Sequence, residues 1–207
     1  MARGQTRQPP VAEALPSARE PIPTIPAFRR AKPADAMEVA RATFLHGERL
    51  DMGTLAAQLA VSRATLYRWW GSRALLHERI LEQRAREFGE WARAEATGDG
   101  VERVLAALRL ILDATAAAQP VRRFMEREPH LALRVLTRRD GAVHQELTDT
   151  LCEIAEEACA DLDLERLRDR IGVAVHVGSA LQWGSVAIDE EPPTDYILEI
   201  LRRQIAP

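Results

Sequence analysis

One stretch constrains the fold of this chain more than any other: DMGTLAAQLAVSRATLYRWWGSRALLHERIL, residues 51–81. Leu55, Ala56 and Leu59 recur at the spacing of one helical face, and the pattern then stops. Ser62 follows, a residue type that commonly caps a helix N-terminus. The pattern predicts two short helices around a tight turn, with a longer helix directly after them. This helix-turn-helix is typical of DNA-binding proteins, although such corners also occur in proteins that never contact DNA.

The second helix of the motif has an inner and an outer side. Leu66 and Trp70 lie one turn apart and are expected to point inward. Outward-facing side chains would offer a guanidinium for guanine, a hydroxyl or methyl for phosphate or thymine, and a phenol for a backbone oxygen. They are Arg63, Thr65, Tyr67, Arg68 and Trp69. Gly71 ends the helix, Ser72 caps the next one, and Arg73 stands beside free backbone N–H groups, which suits phosphate.

The segment VSRATLYRWWGSRALL, residues 61–76, resembles the recognition motif of TetR-type transcriptional regulators. That motif runs V-S-x-(G/A)-T-L-Y-x-(Y/H/W)-F-x-(S/N)-(K/R)-x-x-L. The chain departs from the family at Ala60, Trp70 and Arg73, where Gly, Phe and Lys are commoner. None of these departures removes a required group, so the resemblance implies a DNA-binding regulator.

The resemblance also implies which residues contact DNA. In this family the second helix of the motif faces the operator, the start of the first helix lies near a phosphate, and the start of the following helix contacts the DNA backbone. With Arg68 added for its side-chain chemistry, the expected contacts are Thr54, Ser62, Arg63, Thr65, Tyr67, Arg68, Trp69 and Arg73. Arg63 and Arg68 flank the shared positions and are individual to this sequence.

Composition favours an all-α chain. Hydrophobic residues make up 46% and aromatic residues 5% of the 207 residues, and Ala, Leu, Arg and Glu dominate, which favours helix, while no segment alternates like a strand. The formal net charge of −3 divides into +4 for residues 1–98 and −7 for residues 99–207. Because attraction to phosphate is screened within about 10 Å at moderate salt, a distal acidic half does not oppose DNA binding by the basic half.

Residues 1–32 are expected to form a separate disordered arm, because six prolines interrupt a stretch with few apolar residues. Its six basic and two acidic side chains suit a DNA minor groove, with Arg29, Arg30 and Lys32 nearest the folded part. A solvated tail is the alternative. The N-terminus lacks the apolar core of a signal peptide, and polar residues and Gly interrupt the uncharged run at 171–188. A cytoplasmic protein without a membrane segment is predicted.

The sequence predicts a DNA-binding domain at residues 33–80 and a second domain at 81–207. A helix from about Ala34 to Gly47 is expected to pack across the motif, and a long helix from Ser72 to about Ala96 ends at a break over residues 97–100. In the resembling family such a helix links the DNA-binding domain to a ligand-binding body. Its tilt changes the spacing between the two DNA-binding domains of a dimer.

The second domain is predicted to be helical at about residues 101–118, 121–128, 129–139, 142–162, 164–188 and 194–205. The last two helices carry one face of small side chains and one apolar stripe. These residues are Ala174, Gly178, Leu181 and Ser185, then Leu198, Leu201 and Ile205. We expect the two helices to pair with their twofold copies in a homodimer, as the resemblance also implies. Completing the core of one chain is the alternative.

The segment FMEREPHLALRVLTRRDGAV, residues 124–143, resembles the QsdR-type branch of these regulators, as do RLDM at 49–52 and WGSR at 70–73. That branch is associated with genes for the degradation of lactones or quorum signals, which implies a lactone-like effector. Such a ligand needs a hydrogen-bond donor for its carbonyl and apolar walls for its acyl part. The candidates are Phe124, His144, His176, Gln182 and Trp183. Each is also explained as an ordinary core residue.

Other function classes find less support. The five histidines are scattered, and motifs of serine hydrolases, zinc proteases, nucleotide-binding loops and dinucleotide folds are absent. Cys152 and Cys159 lie two helical turns apart, about 10 Å, too far for a disulfide within one helix. We expect reduced cysteines, no metal site, no cofactor and no catalytic residues. The sequence predicts a homodimeric repressor that binds a palindromic double-stranded DNA operator and is released by a small apolar effector; a ligand-independent DNA-binding protein and a helical enzyme are the alternatives.

Overall fold

The computed structural model describes residues 21–24, 29–159 and 164–205, and these residues form α-helices and no strand. The first helices are α1 (Pro33–Leu45), α2 (Met52–Gln58), α3 (Arg63–Trp70) and α4 (Arg73–Glu95). They are followed by α5 (Gly100–Ala117), α6 (Gln119–Arg127), α7 (Pro129–Thr137), α8 (Ala142–Ala158), α9 (Leu164–Ala187) and α10 (Thr194–Ile205). The predicted all-α class is confirmed. We call α1–α3 with the first two turns of α4 the head, and the remainder the body.

The sequence predicts a disordered N-terminal arm and no membrane-spanning segment. Most of the predicted N-terminal arm, residues 1–20 and 25–28, lies outside the described residues. In the part of the chain that is described, no single helix combines the length and apolarity needed to cross a membrane. Among the described helices, α5 and α6 taken together pass such a test, but they are bent by 57° at their junction.

The helices of the head begin and end where the sequence supplies capping residues. The Asp51 carboxylate accepts two backbone N–H groups of the first turn of α2, at 2.8 and 2.9 Å. Ser62 Oγ accepts the N–H of Thr65 at 3.0 Å at the start of α3, and Ser72 caps α4 in the same way. Gly71 adopts a φ of +68° between α3 and α4, a left-handed conformation that glycine tolerates well. Each cap stabilises its helix by about 0.5–2 kcal/mol.

The core of the head continues into the body. Buried aliphatic and aromatic side chains fill the space between α1, α2, α3 and the start of α4, namely Val39, Phe44, Leu55, Leu66, Leu76 and Ile80. The same apolar cluster includes Val121 of α6, Ala132 of α7 and Trp183 of α9. The head therefore packs directly against α6, α7 and α9 of the body, and it is also joined to the body through α4. The predicted division between residues 80 and 81 falls inside this shared core.

A second apolar cluster lies between α5, α8, α9, α10 and the end of α4. It includes residues that the sequence assigned to a dimer interface. Leu198 and Leu201 of α10 are 9% and 0% exposed. A Cβ on Gly178 of α9 would lie 2.8 Å from Ile197 Cγ2, so the two helices approach closely at this glycine. Ala174 is buried in the same cluster. These side chains complete the core of one chain, because the small residues of α9 accommodate α10 rather than a second copy.

The outer side of α9 carries a different row of apolar and small residues. They recur at the spacing of one helical face and are Val173, Val177, Ala180 and Gly184, with Ile188 in the turn directly after the helix. Val173 is 43% exposed and Ile188 66% exposed. A Cβ on Gly184 would meet no described atom within 4 Å. We call this row the outer α9 face. Leu181 and Ser185 of the predicted interface are half-buried, and the side chain of Ile205 lies outside the described residues.

Both cysteines are free thiols, as predicted. Cys152 is buried and Cys159 half-buried. Burial raises the pKa of the Cys152 thiol to about 11. The thiol is therefore protonated at neutral pH and acts as a small apolar side chain, since the thiolate is the reactive form of cysteine.

Candidate nucleic-acid interface and effector cavity

The turn between α2 and α3 fixes the two helices of the motif relative to each other. The N–H of Val61 donates to the carbonyl of Ala56 at 3.0 Å, and that of Ala60 donates to Ala57 at 3.1 Å. Ala60 has a φ of +50°, a left-handed conformation that costs about 1–2 kcal/mol for a residue with a Cβ. This explains why the resembling family commonly has glycine here. In this chain Ala60 adopts the left-handed conformation in spite of that conformational energy.

The outer side of α3 is open to solvent. Arg63 and Arg68 are exposed, and Tyr67 is 42% exposed. On the opposite side Leu66 is fully buried, which fixes the rotation of the helix. Two guanidinium groups and one phenol therefore stand on one exposed helical surface, as predicted. These groups are suited to contact base edges and phosphate oxygens.

Thr65 and Trp69 are less exposed than the sequence predicts. Both are half-buried, and the Thr65 hydroxyl lies 2.9 Å from the Ser62 hydroxyl, within hydrogen-bond distance. Trp69 packs against the apolar cluster of the head. It lies three residues after Leu66, so its large indole covers the edge of the core instead of facing outward. Trp70, expected inside, is only half-buried as well.

Thr54 and Arg73, expected near phosphates, have partners within the chain. Thr54 is exposed, and its hydroxyl donates to the Asp51 carboxylate at 3.1 Å. Arg73 makes a two-point ion pair with Glu128, one contact at 2.9 Å, and lies 3.4 Å from the carbonyl of Leu50. The corner between α6 and α7 brings Glu128 against the start of α4. Arg73 therefore ties the head to the body in this structure.

The residues just before α1 lie beside the exposed end of α3. Arg30 lines a surface hollow whose other residues are Ala60, Val61, Ser62, Thr65, Arg68 and Trp69. Arg29 forms an ion pair with Asp35 at 2.7 Å. Hydrogen bonds from Arg29 and from the N–H of Lys32 lower the pKa of the Asp35 carboxyl. This ion pair fixes the chain before α1, so the described end of the predicted arm shares a surface with α3.

Aromatic rings and arginines join the head to α6. The rings of His77 and Phe124 are stacked, with centroids 4.6 Å apart and an interplanar angle of 8°. Phe44 packs edge-on against Phe124 at 5.7 Å. Arg123 and Arg127 donate to backbone carbonyls of the loop that follows α1. A movement of α6 would therefore shift the residues of the head that contact it.

We expect this junction to weaken in acid. Burial lowers the pKa of His77 from 6.5, and Nδ1 donates to the carbonyl of Arg73 at 2.9 Å. Below pH 6.5 the unfolded chain therefore binds a proton at His77 more readily than the folded chain does. The free energy of unfolding falls as the pH drops through this range, by at most about 1.4 kcal/mol per pH unit. Urea unfolding at pH 7.5 and 5.5 measures this dependence.

The matched variant for this prediction is His77→Phe, which keeps an aromatic ring on Phe124. It should flatten the pH dependence, leaving the part due to His144, whose pKa burial also lowers. An equally steep dependence in His77→Phe would show that the acid sensitivity has another source.

A cavity of about 60 Å³ lies in the body, lined mainly by α4, α5, α8 and α9 and by one residue each of α6, α7 and α10. Its walls are mainly apolar, and the polar residues among them are Arg84, Thr115, Ser179 and Gln182. Apolar walls with a few polar groups are the usual construction of a small-molecule site. Sites for drug-sized ligands measure about 300–1,000 Å³. A ligand of that size must therefore push the surrounding helices apart.

The sequence of the body agrees with a known family. Residues 99–203, half of the chain, match the family described as the tetracyclin repressor-like C-terminal domain. The chain belongs to the TetR family of transcriptional regulators. The match begins at the predicted break between α4 and α5, and it covers most of the helices around the cavity. No curated protein sequence matches the chain significantly.

Two solved structures share the fold of this TetR-family chain. The transcriptional repressor QsdR of R. erythropolis superposes with a TM-score of 0.77 at 22% identity, covering 84% of this chain and 93% of QsdR. The repressor AlkX of Dietzia sp. strain DQ12-45-1b, implicated in biodegradation of n-alkanes, superposes with a TM-score of 0.54 at 18% identity. The superposition covers 79% of this chain and 91% of AlkX. The likeness confirms the predicted fold, an N-terminal DNA-binding head on a helical C-terminal domain.

Two of the five predicted effector residues of this TetR-family protein line the cavity, Gln182 and Trp183. The Gln182 Nε2 donates to the carbonyl of Leu112 at 3.0 Å and to the hydroxyl of Thr115 at 2.9 Å. These two bonds use both N–H groups of the amide. Gln182 is therefore a bridge between α9 and α5, and the predicted donation to a lactone carbonyl would require breaking this bridge.

Phe124, His144 and His176 lie outside the cavity wall. Phe124 belongs to the head–body junction described above. The rings of the two histidines are 6.0 Å apart, and His144 Nε2 lies 2.9 Å from the carbonyl of Gly172. His176 Nδ1 is buried without a hydrogen-bond partner among the described residues. These side chains pack between α8 and α9 on a helical face next to the cavity, so the core interpretation describes them better.

Sequence reasoning missed Arg84, the charged residue of the cavity wall. Its side chain is 9% exposed, and its guanidinium carbon lies 4.7 Å from the centre of the Phe88 ring. Together with Leu81 and Ala85, these residues follow the i, i+3, i+4, i+7 spacing of the buried side of α4. An arginine at an apolar position of an otherwise regular stripe was the available signal.

Proposed function

We propose that this chain is a homodimeric, ligand-responsive repressor that binds a palindromic operator in the cytoplasm and leaves it when a small apolar effector enters the body cavity. The observation that carries the proposal is the capped helix α3. Its inner side is fixed by Leu66, and its outer side offers Arg63, Tyr67 and Arg68. TetR-family repressors bind DNA and small-molecule effectors and act as dimers.

In the proposed complex α3 enters the major groove. Arg63 and Arg68 are placed to donate to guanine or to phosphates, and Tyr67 to donate to a backbone oxygen. The hydroxyl pair of Ser62 and Thr65 stands at the N-terminus of α3, where free N–H groups favour a phosphate.

The flanking residues have supporting roles in this proposal. Thr54 at the start of α2 lies close to a second phosphate. Trp69 buttresses α3 from the core, and Arg73 acts by holding the head on Glu128 or by exchanging this partner for a phosphate. Arg30 leads the N-terminal arm toward the adjacent minor groove, because it borders the same surface as α3.

The proposed dimer forms through the outer α9 face. Its small residues at 180 and 184 allow a twofold copy of the helix to approach closely, and its exposed Val173 and Ile188 supply apolar area. Pairing of these faces removes them from water. Two heads held at a fixed separation read two half-sites, which gives a palindromic operator.

Release is proposed to follow from the size of the cavity. The cavity has about 60 Å³ and is bounded on one side by α4, whose first turns belong to the head. An effector that enlarges it displaces α4 and with it the head, so the two heads of the dimer lose their spacing. Through the QsdR-type resemblance, a lactone or quorum-type signal is one class of effector.

A mobility-shift assay with fragments from upstream of the gene tests this function. We expect one fragment to be retained at about 0.15 M salt against an excess of scrambled DNA, and an acyl lactone of suitable chain length to reduce retention. Equal retention of upstream and scrambled DNA would contradict operator recognition. Specific retention that no apolar compound reduces would favour the alternative, a ligand-independent DNA-binding protein.

A further inference from the structure

The cavity wall carries one charged side chain. Among the residues that line it, Arg84 alone is ionisable, and the others are apolar, neutral polar or glycine. Arg84 is 8% exposed and lies over the ring of Phe88. Since arginine keeps its proton in proteins, this group brings a positive charge to an otherwise uncharged cavity.

The positive charge is only partly compensated. Arg84 Nη1 forms an ion pair with Glu87, and Arg41 of α1 pairs with the other oxygen of the same carboxylate at 2.8 Å. Within the described residues, Glu87 is the only carboxylate that pairs with either arginine. Two guanidinium groups thus share one carboxylate, and the three groups together, of which Arg84 lines the cavity, carry a net charge of +1. A buried charge is costly unless it is paired.

We infer that the effector is an apolar molecule with a carboxylate group, which binds Arg84 while its hydrocarbon part lies along the apolar walls. A carboxylate supplies the missing negative charge and matches the forked geometry of a guanidinium. The inference rests on the proposed function and names the chemistry of its effector. A ring-opened acyl lactone and a fatty acid both belong to this class.

The same ion pairs connect the cavity with the head. Arg41 lies in the head helix α1, Glu87 in α4, and Arg84 in the cavity wall. When an effector carboxylate takes Arg84, Glu87 is left to Arg41 alone. Occupancy of the cavity then changes the ion pair that joins α1 to α4. Binding is in this way coupled to the position of the head by charge as well as by displacement of α4.

Isothermal titration calorimetry with chain-matched probes tests the inference on the full-length protein. The probes are decanoate, decan-1-ol and the neutral γ-decalactone at pH 7.5. We expect decanoate to bind at least about tenfold more tightly than either neutral probe, as for a hydrogen bond to a charged group. Arg84→Met replaces the guanidinium with an uncharged end on a side chain that stays long and flexible. In this variant, decanoate should bind no better than decan-1-ol. Arg86→Met, an exposed arginine of the same helix, should bind all three probes as the unmodified protein does.

A second variant keeps the test decisive if Arg84→Met does not fold. Glu87→Gln removes the competing carboxylate and should strengthen decanoate binding by about tenfold. Equal affinity for decanoate and the neutral probes, a preference for decanoate retained in Arg84→Met, or unchanged decanoate affinity in Glu87→Gln would each overturn the inference. Operator retention is measured separately in the mobility-shift assay. Its absence beside a clear carboxylate preference would overturn the proposed function and not the ligand class.

Discussion

Replacing Arg63 and Tyr67 together with Ala is expected to abolish operator retention while leaving the head folded. Each lost base or phosphate contact costs about 1–3 kcal/mol, and a dimer loses each contact twice. The expected loss of affinity is therefore about 1,000-fold or more. Fluorescence anisotropy with labelled operator measures this loss.

The fold should survive this change because both side chains are exposed and Ala is a good helix former. Leu66, which fixes α3 from below, is untouched. Circular dichroism and thermal unfolding check this. Arg134→Ala, which removes an exposed arginine from α7, serves as the control and should retain full affinity. A double variant that binds operator as tightly as the unmodified protein would contradict the assigned interface.

Gly184→Arg is expected to convert the proposed dimer into a 23.1 kDa monomer. Within one chain the new side chain points into open space, since a Cβ at this position meets no described atom within 4 Å. Arginine is also a better helix former than glycine by about 1 kcal/mol. In a dimer formed through the outer α9 face, the two guanidinium groups would be buried against each other. Sedimentation velocity distinguishes monomer from dimer.

Loss of the dimer should also weaken operator binding by about 1,000-fold or more, because a single head reads only one half-site. Ala94→Arg places the same charge on an exposed position of α4 and should leave both the dimer and operator affinity intact. A Gly184→Arg protein that still sediments as a dimer would show that the copies meet elsewhere.

Local features of the fold follow from the sequence with good accuracy. Ser62 and Ser72 cap their helices and Gly71 ends α3 as predicted, because a helix end is decided by a few neighbouring residues. The burial of Leu66 and the exposure of the arginines beside it follow in the same way from helical periodicity.

Features that depend on how distant helices meet could not be predicted. Arg73 faces Glu128 only because the α6–α7 corner reaches the head, 55 residues along the chain. Gly178 signals a close helix approach, but a sequence pattern does not say whether the partner is α10 of the same chain or a second copy. The cavity is lined by residues from seven helices, so its walls depend on how all of them pack. For this reason the sequence pattern does not separate Gln182 and Trp183, which line the cavity, from His144 and His176, which do not.

The most direct test of operator recognition is a hydroxyl-radical footprint on the upstream fragment that the protein retains. We expect two protected segments related by a dyad, with centres one or a whole number of helical turns apart on the same side of the duplex. Arg63→Ala should weaken both segments equally. A single protected segment, or uniform protection without preferred positions, would contradict a dimeric repressor that reads DNA through α3.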